Sequence, residues 1–157
     1  MTSDIAIRIA RTSDLDDITT IFRSTIISIN AEDYSDEQLV VWASAAEDTA
    51  VWLQKIHEQH FLVAMYKGVL AGFASITTYG YLDYMYIHKD YQRKGIAHQL
   101  LLHLESFAKE NGVKVIYTDA SITARGFFEK SGYQIITQQA VWRKGISFIN
   151  YRMEKQL

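Results

Sequence analysis

The sequence predicts a mixed α/β (α+β) fold: a twisted, mostly antiparallel sheet with one parallel strand pair at its centre and helices on both faces. Three observations lead there. Pairs of β-rich runs flank Lys67-Gly68 and Lys144-Gly145, glycine-containing breaks at hairpin spacing. Between them stand a strand-like run, Tyr81–Ile87, a long segment of helical spacing, and a second β-rich run at 113–119. Such a strand-helix-strand unit is right-handed, with its two strands parallel. The 157 residues contain no proline, no repeat and no Ser- or Gly-rich linker, so residues 1–157 read as a single domain.

Residues 5–10 alternate and form the first strand. Thr12 or Ser13 offers an N-cap, Asp14, Asp16 and Asp17 suit the positive end of a helix, and Leu15, Ile18, Ile21 and Phe22 supply its apolar stripe. Ser35-Asp36-Glu37-Gln38 is a capping box before Leu39, Val40 and Trp42, so a second helix begins near Ser35. Residues 43–46 are ambiguous, and 50–58 resume a helix. Strands follow at 60–66 and 69–77, where Gly72 marks a bulge or a close contact. After Tyr81–Ile87, Ile96, Leu100, Leu104 and Phe107 recur at helical intervals, and Asn111-Gly112 ends the helix. Ser121 or Thr123 caps a short helix through Lys130, Gly132 sits at its C′ position, and runs at 133–142 and 146–153 close the chain as a hairpin.

A chain that is 48% hydrophobic and 22% charged buries a real core. A net charge of -2 and a pI near 6.2, without a Lys/Arg run, argue against nucleic acid as a partner. The absence of cysteine excludes disulfides, a thiol nucleophile and thiolate metal sites. The start of the chain lacks the apolar run of a secretory signal and no stretch is long enough to span a bilayer, so a cytoplasmic protein without membrane contact is expected. His98 and His103 are poorly aligned on a helix and His57 and His60 straddle a helix end, so no metal is expected.

The chemistry concentrates at 88–97. A helix that opens at a glycine presents unpaired N–H groups and partial positive charge, which suits a phosphate. Gly95 admits close approach, Ala97 keeps the entry open, and Lys89, Arg93 and Lys94 outweigh Asp90. Neither a P-loop nor a Rossmann fingerprint is present. Gln92-Arg93-Lys94-Gly95-Ile96-Ala97 instead resembles the Q/R-x-x-G-x-G/A pyrophosphate signature of the GNAT acetyltransferase family. The segment 121–133, SITARGFFEKSGY, is similar to that family's N-x-x-A-x-x-[L/F]-Y-E-K-x-G-[F/Y] stretch, and the run Arg8 to Ile18 looks like its usual opening.

The resemblance implies a GNAT-type fold and an acetyl-CoA-dependent N-acetyltransferase acting on a small-molecule or peptide amine. It implies that coenzyme A meets Gln92, Arg93, Lys94, Gly95, Ile96 and Ala97 with its pyrophosphate. The arm would lie along Met85, Tyr86 and Ile87, where the central strand parts from the next, and near Ser121, Ala124, Phe127, Phe128 and Lys130. Two departures stand out: the family's frequent asparagine is Ser121, and the tyrosine that often protonates the thiolate is Phe128, which has no proton to give. Tyr84, Tyr86, Tyr117 or water are left for that role. Asp83 is the candidate base or anchor for the acceptor, on the expectation that strand alternation places it on the same side as Met85 and Ile87. Tyr81, which shares the parity of Asp83, and Tyr34 and Trp42 are the further candidates for the acceptor pocket. No G-x-S-x-G elbow appears, which favours direct transfer over an acyl-enzyme. The alternative is a noncatalytic acyl-CoA-binding domain of the same fold. The carboxy-terminal strand can pair within a monomer or across a homodimer.

Overall fold

A computed structural model describes residues 4–157. The first three residues, the head of the segment read as lacking a secretory signal, lie outside the described residues. The chain runs β1 (Ile5–Ile9), α1 (Leu15–Ser28), α2 (Asp36–Ala43), α3 (Thr49–Glu58), β2 (His60–Tyr66), β3 (Val69–Ile76), β4 (Tyr81–Ile87), α4 (Ile96–Glu110), β5 (Val115–Ser121), α5 (Arg125–Lys130), β6 (Gln134–Arg143) and β7 (Ile146–Gln156). Seven strands form one sheet in the order β1-β2-β3-β4-β5-β7-β6. Among the described residues β4 and β5 are the parallel pair, and the other neighbours are antiparallel. No described helix is long and apolar enough to cross a membrane.

The sheet separates two cores. On one face α4 buries Ile96, Leu100, Leu101 and Leu104 against Leu82, Ile87 and Ile116. On the other, Ile18, Phe22 and Ile26 of α1 and Trp52 of α3 pack on Phe61, Val63 and Phe73. Fully burying one such side chain stabilises by roughly 1.5–3 kcal/mol, which is why both stripes stay on the sheet.

Local chemistry sets most boundaries. Ser35 accepts from the Gln38 N–H while Gln38 Oε1 accepts from the Ser35 N–H, closing the expected capping box. Of residues 43–46, ambiguous in sequence, Ala43 ends α2 and the other three fall in a 3-10 turn, Ser44–Glu47. Lys67 and Lys144 have φ of 49° and 50° and are followed by Gly68 and Gly145 at 83° and 76°, the doubly left-handed turn that matches strand twist. Helix α4 ends as the glycine signal requires, with Gly112 N–H bonded to Lys109 O at 3.0 Å and Val113 N–H to Ala108 O at 2.9 Å. That closure holds residue 113 in the turn, so β5 runs over Val115–Ser121 and not 113–119.

Two expectations need correction. Neither Thr12 nor Ser13 caps α1; the chain enters through a 3-10 turn, and Asp14 accepts from the Arg11 N–H at 2.7 Å while pairing with Arg8 at 2.8 Å. A carboxylate satisfying a backbone donor and a guanidinium together outcompetes a hydroxyl cap. The second correction concerns β4. Ser75 pairs with Tyr84 but Ile76 pairs with Leu82, so Asp83 is an extra residue without a partner across the ladder. A bulge reverses the side-chain alternation beyond it. Leu82, Met85 and Ile87 face the α4 core, whereas Tyr84 and Tyr86 join the α1/α3 core. Lys55 of α3 reaches both Asp83 and Tyr84. Asp83 therefore lies on the opposite face from Met85 and Ile87, contrary to the parity expected from sequence.

Candidate active site

Strands β4 and β5 pair only at Tyr81 with Tyr117 and Leu82 with Thr118. The Thr118 hydroxyl donates to the Leu82 carbonyl at 2.9 Å at the crotch, and from Asp83 and Asp119 onward the strands share no ladder. Strand β5 continues along β7 as far as Ser121 opposite Asn150, which leaves 83–87 without a strand on that side. A cleft of about 440 Å³ fills the fork. The His88 N–H bonds to Ala71 of β3 at 2.8 Å, so by alternation the backbone groups of Met85 and Ile87 point away from β3, toward the fork. The Ile87 carbonyl is already engaged, accepting from Gln92 Nε2 at 2.7 Å and from Thr25 Oγ1 at 3.1 Å. Of the backbone expected to hold an inserted arm, both Met85 groups and the Ile87 N–H are thus available.

At the α4 end, Arg93 and Gly95 have φ of 60° and 81°, and the helix begins without a side-chain cap. The first helical bond is Gln99 N–H to Gly95 O at 3.1 Å, so the N–H groups of Ile96, Ala97 and His98 point out of the helix start without intrahelical partners. They border a hollow of about 290 Å³ that shares Ile87, Gln92, Ala97 and Phe127 with the cleft. A Cβ built on Gly95 would meet no protein atom within 4 Å. Exposed N–H groups, an open approach and a continuous path to the fork fit a diphosphate joined to an extended arm, as in coenzyme A.

The side chains expected here divide into groups. Arg93 borders the hollow, while Lys94 lies over the Tyr66 ring at 5.2 Å and Lys130 is exposed at the end of α5, both outside the two cavities. Ile96 is 1% exposed and contributes backbone only. Ser121 Oγ accepts from the Ala124 N–H at 3.0 Å, and Ala124 and Phe127 line the cleft. Phe128 borders it but is otherwise core, edge-on to Phe127 and Tyr133. Tyr34, Trp42, Tyr81 and Asp83 all reach the cleft. The Tyr34 hydroxyl accepts from the Ile122 N–H at 2.9 Å and donates to Ile149 O at 3.2 Å, pinning the wall to β5 and β7.

Two acids lie in the cleft, each with a cation. Asp83 Oδ2 accepts from Lys55 at 2.9 Å and from Gln59 at 2.8 Å. Burial pulls the Lys55 ammonium down, but its bonds to Asp83 and to the Tyr84 hydroxyl, at 3.1 Å, carry it above its ordinary range. Asp119 accepts from Arg152 at 2.8 Å, Gln139 at 2.9 Å and Tyr81 at 3.1 Å. Burial pushes its carboxyl up, and these bonds overcome that and hold it below the usual carboxylate range. Burial, reinforced by the neighbouring carboxylates, raises the phenols of Tyr81 and Tyr84, and burial raises that of Tyr86, so all three keep their protons at neutral pH. Lys55, Asp119 and Arg152 were missed in sequence. Asp119 alternates with buried Thr118 and Ala120 in β5 and was open to detection by parity, but nothing links Lys55 to Asp83 along the chain.

A forked parallel pair beside an uncapped helix start defines the class: an N-acetyltransferase. The Acetyltransferase (GNAT) domain model matches residues 30–155, and the chain belongs to that family. It is 31% identical over 151 residues to the uncharacterized N-acetyltransferase YafP of Escherichia coli strain K12, covering 96% of this chain and 95% of that protein. A crystal structure from Rhodopseudomonas palustris described as a GCN5-related N-acetyltransferase, "Aminotransferase, Class-II", superposes with a TM-score of 0.96 at 34% identity, over 100% of this chain and 98% of that one. The PaiA N-acetyltransferase of Thermoplasma acidophilum, solved with coenzyme A, shares the fold at a TM-score of 0.81 and 23% identity, covering 100% of both chains.

Proposed function

We propose that this chain moves an acetyl group from acetyl-CoA to a primary amine of a small molecule or peptide, by direct attack with both substrates bound. The observation that carries the reading is the fork beyond Leu82 and Thr118, continuous with the hollow at the start of α4. That PaiA was solved with coenzyme A supports the choice of donor. When bound, acetyl-CoA supplies an activated thioester carbonyl.

The residues of the chain do the rest. The N–H groups of 96–98 bind the diphosphate, with Arg93 adding charge. Met85 and the Ile87 N–H extend the sheet to the arm by β-augmentation, and one of these N–H groups is the donor to a developing oxyanion. An acceptor amine, with a pKa of about 8 to 10, must lose a proton before it attacks. Asp83 takes it, directly or through water; in support, Oδ2 holds Lys55 and Gln59 while Oδ1 has no partner among the described residues. Phe128 has no proton to return; the protonated phenols of Tyr81, Tyr84 and Tyr86 line the cleft.

Thiol release from acetyl-CoA, measured over a panel of primary amines with products weighed by mass spectrometry, tests this reading. The expected result is amine-dependent release with one acetyl group added. Coenzyme A binding without turnover on any amine would overturn it and return the noncatalytic alternative.

A further inference from the structure

The charges in the cleft do not cancel evenly. Asp83 is paired with Lys55 at 2.9 Å and Asp119 with Arg152 at 2.8 Å, so both acids are already neutralised. Arg143, at the end of β6, also lines the cleft and forms no ion pair among the described residues. Its charge reaches inward: although burial dominates the acidities of Tyr84 and Tyr86, Arg143 draws both down. The Tyr84 oxygen is already occupied as an acceptor by the Lys55 ammonium. An oxygen that accepts from a neighbour directs its own hydrogen elsewhere, and neither hydroxyl donates to a protein acceptor among the described residues. One unpaired guanidinium and two unspent O–H donors therefore line the same cleft. Guanidinium and phenol are groups that bind carboxylate oxygens, and the bonds to a charged partner are the strong ones.

We infer that the acceptor of this enzyme is an amine that also carries a carboxylate, with Arg143 and the hydroxyls of Tyr84 and Tyr86 holding the carboxylate while the amine faces Asp83. The inference rests on the proposed acetyl transfer and narrows its substrate class. It adds a second anchor to the one expected at Asp83. Lys55 and Gln59 leave Asp83 one oxygen, enough for a single amine, and Arg143 adds a repulsive charge against polyamines.

Binding is measured by calorimetry on the protein saturated with coenzyme A, using indole-3-acetate as an amine-free carboxylate and 3-methylindole as its neutral counterpart. The aromatic wall of Tyr34, Trp42 and Phe148 suits the indole ring of both. Indole-3-acetate is expected to bind more tightly than 3-methylindole, Arg143→Gln to weaken it about ten- to a hundredfold, and Arg143→Lys to restore part of the loss. Equal binding of indole-3-acetate to wild type and Arg143→Gln, or tighter binding of 3-methylindole, overturns the inference. In parallel, thiol release with tryptophan and with tryptamine gives the ratio of kcat/KM with and without the carboxylate. That ratio is expected to exceed ten and to fall toward one in Arg143→Gln. Turnover of tryptamine at or above that of tryptophan overturns the carboxylate inference while leaving acetyl transfer intact.

Discussion

At the α4 end of the cleft the free polar groups are backbone: N–H groups from three consecutive residues, at a helix start where Arg93 and Gly95 adopt left-handed conformations. At the Trp42 end they are side chains, brought from α2, α3, β4, β5, β6 and β7 by contacts that span much of the chain. The first end needs one short segment to fold correctly; the second needs the whole sheet in register. On the proposed reading, a donor common to many enzymes is held by a local device, while acceptor preference is free to change through scattered substitutions.

Four measurements sharpen or break that contrast, from the largest effect to the smallest. Asp83→Asn is expected to lower kcat about 10²–10⁴-fold while leaving coenzyme A affinity within twofold, because it removes a proton acceptor from the acceptor end only. A kcat within threefold of wild type would remove Asp83 from the chemistry. Gly95→Glu is expected to weaken coenzyme A binding at least about tenfold by calorimetry: it puts a side chain at φ 81° and a negative charge against the phosphates. Open space around that Cβ means the fold persists, so unchanged far-ultraviolet dichroism with undiminished affinity would break the backbone account.

Tyr34→Phe leaves the Ile122 N–H without its acceptor and is expected to cost about 1–3 kcal/mol in denaturant melts, with coenzyme A affinity little altered. A loss of donor affinity as large as the loss of stability would mean that the two ends are coupled. The smallest effect concerns pH. Asp119 has a folded pKa below its unfolded value near 3.9, so its stabilisation is present above that value and is lost as pH falls through the folded one. Asp119→Asn should therefore show a shallower fall in Tm below about pH 4 than wild type, and an unchanged slope would deny the carboxylate that role.

The same contrast governs what was legible in the sequence. The glycine-led helix start at 95–97, the capping box at Ser35, both Lys-Gly hairpins and the Gly112 and Gly132 helix ends are short-range devices, and each stands where its residues imply. Gly72 also has the close contact expected, since a Cβ there would lie 2.8 Å from Ile87 Cδ1. The bulge at Asp83 is announced by neither glycine nor proline, because it arises from how β3 and β4 meet. Lys55 of α3 with Asp83 of β4, and Arg152 of β7 with Asp119 of β5, are pairings between elements distant in the chain, and no spacing encodes them. Asp83 was found by its place in a strand, yet on a parity argument that the bulge invalidates.

The extra residue in β4 also changes how much chemistry a strand can display. Six residues of regular pleat would offer three side chains to either side. From Tyr81 to Tyr86 this strand turns four of six, Tyr81, Asp83, Tyr84 and Tyr86, away from the α4 core, to which it hands only Leu82 and Met85. Deleting a single residue there would thin that polar surface and shift its neighbours into the hydrocarbon interior, so under the proposed chemistry the length of this strand constrains catalysis as tightly as its composition does.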